Sequence, residues 1–544
     1  MSKQPQGTWL DRAVLWLSPE RGLRRMAARD AALSLYRGAR SDRPRKDWLT
    51  LGGSPDEDTL EDLPTLRARS RDLVANNSMA RAIIHGINRA VVGHGLTPQP
   101  AMDNQPLGIA DAKAEELQEI AEQLWDEWAP AADLEQMASI YELQALADWS
   151  EDESGDVLML RHIRPGVATR VKTRWQCIEG DRLATPSGTQ ETAALRGGIR
   201  VDADGVPVAY FVKRTHPGDI KFGATNPKDF VEVPARDESG RLNVIHLFSR
   251  RTRPGQRRGL PLLSHCMQDL KDLGEYIEAE LVGARVQACQ ALIVKGKGRA
   301  ARIKGATSER DSSTGSRIET IEPGHIHYMG NDDDLVPFTP NRPSGNITPF
   351  VEMLLKRIGA SIGIPYEVMV LDFWRRSWSS ARAALLASRM GCYLPRRAWL
   401  VKNFCQVAWE AMLEEAFLAG DWPVPLGKTS DFYRFKSAIC RATWVGPAFG
   451  WVDPEKELKA VELGMKLGLD TWQMAAAEQG YHYLDLAAQV KIETRLRKAV
   501  GLPQPGVQPG MPEAKDAKDD KKPHPTADKP DKGDTEADPN ADEE

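Results

Sequence analysis

Apolar residues recur at helical spacing from Thr65 to Val92. Leu66, Leu73, Ile83, Ile84, Ile87 and Val91 fall on one side, and Arg67, Arg69, Arg71, Arg81 and Arg89 fall largely off it. Residues 111–149 form a second helical zone. After Gly155 the period changes to that of strands: Val157-Leu158-Met159-Leu160, then Thr173 to Ile178, then Ile199-Arg200-Val201 and Val206 to Tyr210 around Asp202-Ala203-Asp204-Gly205. Asp-Gly suits a turn that needs positive φ, so the last two runs predict a hairpin.

Gly259-Leu260-Pro261 opens a long helix whose apolar spine runs Leu262, Cys266, Leu270, Leu273, Ile277, Leu281, Ala284 and Ala288. Thirty residues of helix would measure about 45 Å, longer than most globular helices. Short strands follow over 293–345, broken by a polar loop from Lys295 to Ser316 and by Pro323-Gly324. Helix returns at Phe350–Ile362, stops near Gly363-Ile364-Pro365 and resumes at Ser379, where Pro395 should kink or split it. Residues 454–500 read as a final helical group, and the chain from Gly501 reads as Pro-, Lys- and Asp-rich disorder. Residues 1–55 read as an amphipathic start and a basic connector. The pattern is α+β, with no internal repeat.

At 544 residues, 41% hydrophobic and 27% charged, the chain can build a buried core. The net charge of −5 is uneven: residues 511–544 hold twelve acids against six lysines, so this tail carries −6 and the rest about +1. The six cysteines show no C-x-x-C spacing and read as reduced core thiols of a cytosolic chain. Asp11 and Arg12 interrupt the apolar start, and no stretch reaches the roughly 18 uncharged apolar residues of a membrane helix. Secretion and membrane insertion are therefore not expected.

Enzyme signatures fail on inspection. Gly427-Lys428-Thr429 resembles the end of a phosphate loop, but Trp422 stands where its first glycine belongs, and Pro423 and Pro425 lack the N–H donors such a loop needs. His325 and His327 share one face of a strand with no third ligand nearby, so no metal or other cofactor is expected. Asp202 to Gly205 is read as a turn, because position twelve of a calcium loop would be Lys213. Glu151-Asp152-Glu153, without a basic neighbour in sequence, is read as a solvated acidic loop.

Four ordered stretches resemble the lambda-type portal family of tailed bacteriophages. They are Arg67-Ala68-Arg69-Ser70-Arg71-Asp72-Leu73 to Asn77 with Val91-Val92-Gly93-His94-Gly95; Val244-Ile245-His246 with Arg253-Pro254-Gly255-Gln256-Arg257-Arg258-Gly259 and the helix ending in Ala279 to Ala284; Ile362-Gly363-Ile364-Pro365-Tyr366-Glu367 with Asp372 and Ser379 to Leu385; and Trp451-Val452-Asp453-Pro454-Glu455-Lys456-Glu457. The resemblance implies a portal fold with mainly helical wing, stem and crown, a strand-rich wing portion and a small α/β clip. Mapped on this chain, the expected parts are an arm (1–55), wing (56–259), first stem helix (260–292), clip (293–346), second stem helix (347–362), channel loop (363–378), wing helices (379–449), crown (450–500) and acidic tail (501–544).

The resemblance further implies a non-enzymatic ring of about twelve subunits, since a heterologous contact that closes on itself generates a ring. Double-stranded DNA would pass through it during packaging and ejection. Expected partners are the terminase large subunit, major capsid and scaffold proteins, and head-completion or tail-connector proteins. Its place would be the portal vertex of the virion, and the bacterial host cytoplasm during assembly. Arg375 and Arg376, with Trp374 and Trp378, are the channel candidates for phosphate contact; alternatively these tryptophans pack on a neighbouring subunit and the arginines pair with carboxylates. Arg250, Arg251, Arg253, Arg257 and Arg258 form either a DNA-facing patch or intersubunit ion-pair partners. Lys295, Lys297, Arg299, Arg302 and Lys304 are candidates for docking the packaging motor and connector proteins. Two rival readings are an enzyme of unrecognised type using residues 155–250 and a monomeric DNA-binding adaptor.

Overall fold

The computed structural model describes residues 16–19, 21, 52–165, 168–219, 229–249, 253–288, 292–296, 309–310, 317–318, 333–337, 347–373, 377–448 and 454–500. The amphipathic start to residue 15, the basic connector, the pair His325 and His327, and the acidic tail lie outside them.

The helical run from Thr65 is two helices. After α1 (Pro55–Leu60) come α2 (Leu63–Asn76) and α3 (Ser78–Val91), divided at Asn77, whose extended backbone ends one helix and whose side chain caps the next by accepting from the Met79 and Ala80 N–H groups. Helices α4 (Asp111–Trp128) and α5 (Ile140–Ser154) follow, and α5 starts with a reciprocal Ser139–Glu142 capping box. Their apolar stripes meet in one large core around Trp125, whose ring centroid lies 5.3 Å from Trp128, 5.6 Å from Trp409 and 5.9 Å from Trp444. Aromatic pairs of this kind add about 0.5–1.5 kcal/mol beyond area burial. Most of the indole N–H groups are satisfied, for example Trp125 by the Tyr141 hydroxyl at 2.9 Å and Trp422 by the Leu117 carbonyl at 2.8 Å, whereas that of the buried Trp175 meets no acceptor among the described residues. Trp422 being core, with the chain entering a helix at Thr429, the Gly427-Lys428-Thr429 sequence is a helix approach.

Strand Val157–Ile163 explains why its sequence is apolar without alternation. It lies between Thr173–Glu179 and Val244–Leu247 in an antiparallel sheet, with Met159 opposite Cys177 and Ile245. Val157 and Met159 enter the large core, whereas Leu158 and Leu160 enter a second core with Ile178, Ile199, Tyr210 and Val212. The expected hairpin is present: Ile199 pairs with Tyr210, Gly205 has φ 85°, and the Asp202 carboxylate accepts the Asp204 and Val206 N–H groups.

The expected long helix begins one turn late. Leu262–His265 is a 3₁₀ turn, and α6 spans Met267–Ala288. Helix α7 is Ile347–Ile362, followed by the short α8, Tyr366–Val370. From Trp378 to Ala419 the chain stays helical through α9 (Trp378–Ser388), α10 (Leu394–Leu400) and α11 (Gln406–Ala419), joined by π-helical segments at Arg389–Tyr393 and Val401–Cys405. The break expected at Pro395 is thus a π-helical segment ending just before it: widening the turn accommodates a residue without an N–H, and helical dihedrals continue at Leu394.

Residues 454–500 hold separate helices. Pro454–Lys466 and Trp472–Glu478 belong with the body of the chain, and Tyr483–Val500 opens a second unit. No helix among the described residues is long and apolar enough to cross a membrane. Cys266, Cys392, Cys405 and Cys440 are buried thiols; burial raises the Cys405 and Cys440 thiols, and it pushes Cys177 up to about 12.

Candidate functional site

Helices α6 and α7 form an antiparallel pair. The Arg357 guanidinium meets Asp269 at 3.0 Å, and the rings of Tyr276 and Phe350 lie 4.9 Å apart. One end is rooted in the core through Leu270, Leu273, Leu354, Leu355 and Ile358. Toward the other end Ile277, Leu281, Val282, Phe350 and Met353 are exposed, Leu281 at 53%. A two-helix hairpin cannot cover its own outer faces, so these apolar positions are left to a further surface.

At the rooted end of α7 the chain turns at Gly363, φ 84°, and Pro365 leads into α8. Leu371 follows in the left-handed region at φ 57° with its side chain 71% exposed. Ser377 caps α9 by accepting the Ser380 N–H at 3.3 Å. Trp374, Arg375 and Arg376 lie outside the described residues; Trp378 is the first residue of α9, and its side chain also lies outside them.

The arginine cluster divides. Arg250 and Arg251 lie outside the described residues. Arg253, exposed, pairs with Asp58, and Arg257 pairs with Asp56 at 3.4 Å, so both tie the loop to α1 of the same chain. Arg258 is neither a DNA-facing nor an intersubunit side chain. It is 3% exposed, its Nε donates to Asp156 at 2.5 Å, and its other nitrogens donate to the carbonyls of Leu183, Gly197 and Gly180. This turns it inward because a guanidinium can satisfy several carbonyls and a carboxylate at once, which a buried cation requires.

Asp156 also receives Arg67, and His246 Nε2 lies 3.2 Å from it. Burial opposes ionisation of Asp156, yet the facing charges of Arg258 and Arg67 hold its carboxyl well below the ordinary range. Burial pushes Arg67 down to about 10 and lowers His246 despite Asp156, so the imidazole is neutral near pH 7. Beside this cluster the backbones of Gly155 and Gly259 pass in contact. The loop before α6 is thereby locked to the end of α5 and the start of the central strand.

The acidic triplet is not a solvated loop. It closes α5, and Glu151 and Asp152 are fully buried with Asp148. One cation, Arg396 of α10, reaches Asp152 at 2.9 Å, Asp148 at 3.1 Å and Glu151 at 3.2 Å. Burial works against the Arg396 charge, but the three carboxylates hold it well above the ordinary arginine value. Asn88 of α3 donates to Asp148 at 2.9 Å, and Ser249 donates to Glu151. A signal for this was present, because Glu151 continues the stripe Ile140, Leu143, Ala147 at helical spacing; only the partner, far along the chain, was not visible.

Lys295 lies on the strand Leu292–Gly296, opposite Asp334 of Asp333–Pro337; Lys297, Arg299, Arg302 and Lys304 lie outside the described residues. No grouping of three or more His, Cys, Asp or Glu among the described residues could hold a metal ion.

Residues 41–393 match the family described as phage portal protein, lambda family. The chain belongs to that family. Portal protein B of Escherichia phage lambda is 23% identical over 481 residues, covering 85% of this chain and 89% of that one. A chain described as "Probable portal protein" from Halomonas phage phiHAP-1 is 24% identical over 475 residues, covering 86% and 88%. The portal protein of Escherichia phage N15 is 22% identical over 496 residues, covering 85% and 89%. Among solved structures, a chain from the neck of a native gene transfer agent particle computed with C12 symmetry aligns with a TM-score of 0.40 at 13% identity, covering 80% of this chain and 94% of that one. This portal chain has the α+β class expected from the family resemblance.

Proposed function

We propose that this portal chain is the subunit of a closed ring of about twelve copies at one capsid vertex, through which double-stranded DNA enters and leaves. Family membership over residues 41–393 carries the reading. The apolar outer positions of α6 and α7 support it, because a neighbouring copy is what a ring supplies to cover them. In this arrangement α6 and α7 are the stem, residues 293–346 the clip, 363–378 the channel loop and 450–500 the crown. Arg375 and Arg376, repeated around the ring, offer DNA many weak phosphate contacts, which exchange as it slides. The lysines and arginines from Lys295 to Lys304 dock the terminase large subunit and later the head-completion or tail-connector proteins. Capsid and scaffold proteins meet the ring during assembly in the host cytoplasm. The subunit guides DNA, and the terminase supplies ATP hydrolysis.

The test is electron microscopy and native mass measurement of the purified chain. Closed rings of about twelve copies with a central hole are expected; monomers at high concentration would overturn the reading and favour an adaptor.

A further inference from the structure

Two helices of the body carry opposite charge in matching rows. On α3 the side chains of Arg81, His85 and Arg89 are exposed at intervals of four residues, opposite the buried stripe Ala80, Ile83, Ile84, Ile87 and Val91. On α4 the side chains of Asp111, Glu115 and Glu119 are exposed at the same intervals, opposite Ala114, Leu117, Ala121 and Leu124. Each row therefore repeats about every 6 Å along its helix. Among the described residues no ion pair within 4 Å engages Arg81, Arg89, Glu115 or Glu119. On α4, Glu115 and Glu119 stand one turn apart and repel; on α3, Arg81 and Arg89 stand two turns apart, with the Glu153 charge also acting on Arg81.

The basic row has the composition of an interface. The Arg81 guanidinium lies 5.9 Å from the centre of the Trp149 ring, and His85 meets the same ring edge-on at 6.4 Å. Leu146, one turn earlier on α5, is 47% exposed. Arginine and tryptophan beside an exposed apolar residue are the side chains enriched where proteins bind one another.

We propose that the α3 face of one subunit docks on the α4 face of a second copy of this chain. Resting on the ring reading above, this assigns it a charge-paired contact. Different faces engage on the two copies, so the contact is heterologous, the kind that repeats head to tail and can close. The matching period sets register, and opposite charge speeds encounter and disfavours pairing of like faces.

The test uses two full-length variants, R81E/R89E and E115K/E119K. Each alone, by native mass and electron microscopy, is expected to need at least tenfold more protein to form rings than the wild type. Mixed in equal amounts, they are expected to recover rings, since every contact in an alternating ring is again between opposite charges. Rings from either variant alone at wild-type concentration would overturn the docking, and so would a mixture that stays unassembled while both variants are folded by circular dichroism. Unchanged rings with weaker DNA retention in R81E/R89E would also overturn it, giving the face to nucleic acid. If a variant does not fold, wild-type assembly decides: rings that weaken steeply between low and high salt are expected, and salt-independent assembly overturns the proposal. Wild-type chains that never form rings would instead overturn the ring reading itself.

Discussion

Gly155 and Gly259 touch through their backbones: a Cβ on Gly155 would stand 2.5 Å from the Gly259 carbonyl oxygen, and Gly155 itself has φ 91°. The contact fastens the approach to α6 onto the end of α5, immediately beside the Asp156 cluster. Neither residue can carry a side chain without moving the other.

Gly155→Ala is expected to destabilise the body by about 2–5 kcal/mol, combining the positive-φ strain with overpacking. Chemical denaturation measures it. Limited proteolysis should at the same time show new cleavage near residues 253–262, because the loop loses its seat. A variant as stable as the wild type would mean the contact yields without cost.

Arg258→Ala is expected to cost about 3–5 kcal/mol, because it leaves Asp156 buried with one arginine fewer and several carbonyls unpaired. Arg258→Lys should recover little of this, since an ammonium cannot span Asp156 and the three carbonyls together. Arg253→Ala, at an exposed pair, should change stability by less than about 1 kcal/mol. Equal losses for Arg253 and Arg258 in denaturant titrations would remove the distinction between them.

His246 gives the fold a pH dependence of definite sign. Its folded-state affinity for protons is below that of the unfolded chain, whose imidazole titrates near 6.5. The unfolded state therefore gains protons first as pH falls, and stability drops below pH 6.5, by up to about 1.4 kcal/mol at one unit lower. His246→Gln, which retains a donor for Asp156, should flatten this part of the profile. His162, also lowered by burial, adds a slope of the same sign. Thermal midpoints of both proteins from pH 7.5 to 5.5 check the prediction, and parallel profiles would count against it.

Replacing Arg375 and Arg376 with Ala is expected to leave ring assembly and thermal stability unchanged while reducing DNA retention, and to lessen the salt sensitivity of that retention. Packaging assays at two salt concentrations distinguish this from the alternative in which these arginines pair with carboxylates of a neighbouring copy. In that case the rings themselves would weaken.

Much of the fold was legible in the chain. Spacing alone marked the helix ending at Ile362, the hairpin at Asp202 to Gly205 and the central strand, because backbone geometry imposes periods of 3.6 and 2 on any sequence that buries one side. Local chemistry was less complete. The division at Asn77 was present as a capping side chain inside an unbroken apolar period, and the period hid it.

The sequence by itself determined the family, the α+β class and the order of the elements. What only the tertiary structure decided is which charges lie inside. Arg258 was indistinguishable from Arg253 in a run of arginines, and Glu151 and Asp152 read as solvent-exposed acids. A charge is stable in the interior only with partners at hydrogen-bond distance, and those partners, Asp156 for Arg258 and Arg396 for the acids, lie 102 and about 245 residues away along the chain. Periodicity records which face of an element is buried; it does not record what the fold brings to meet it.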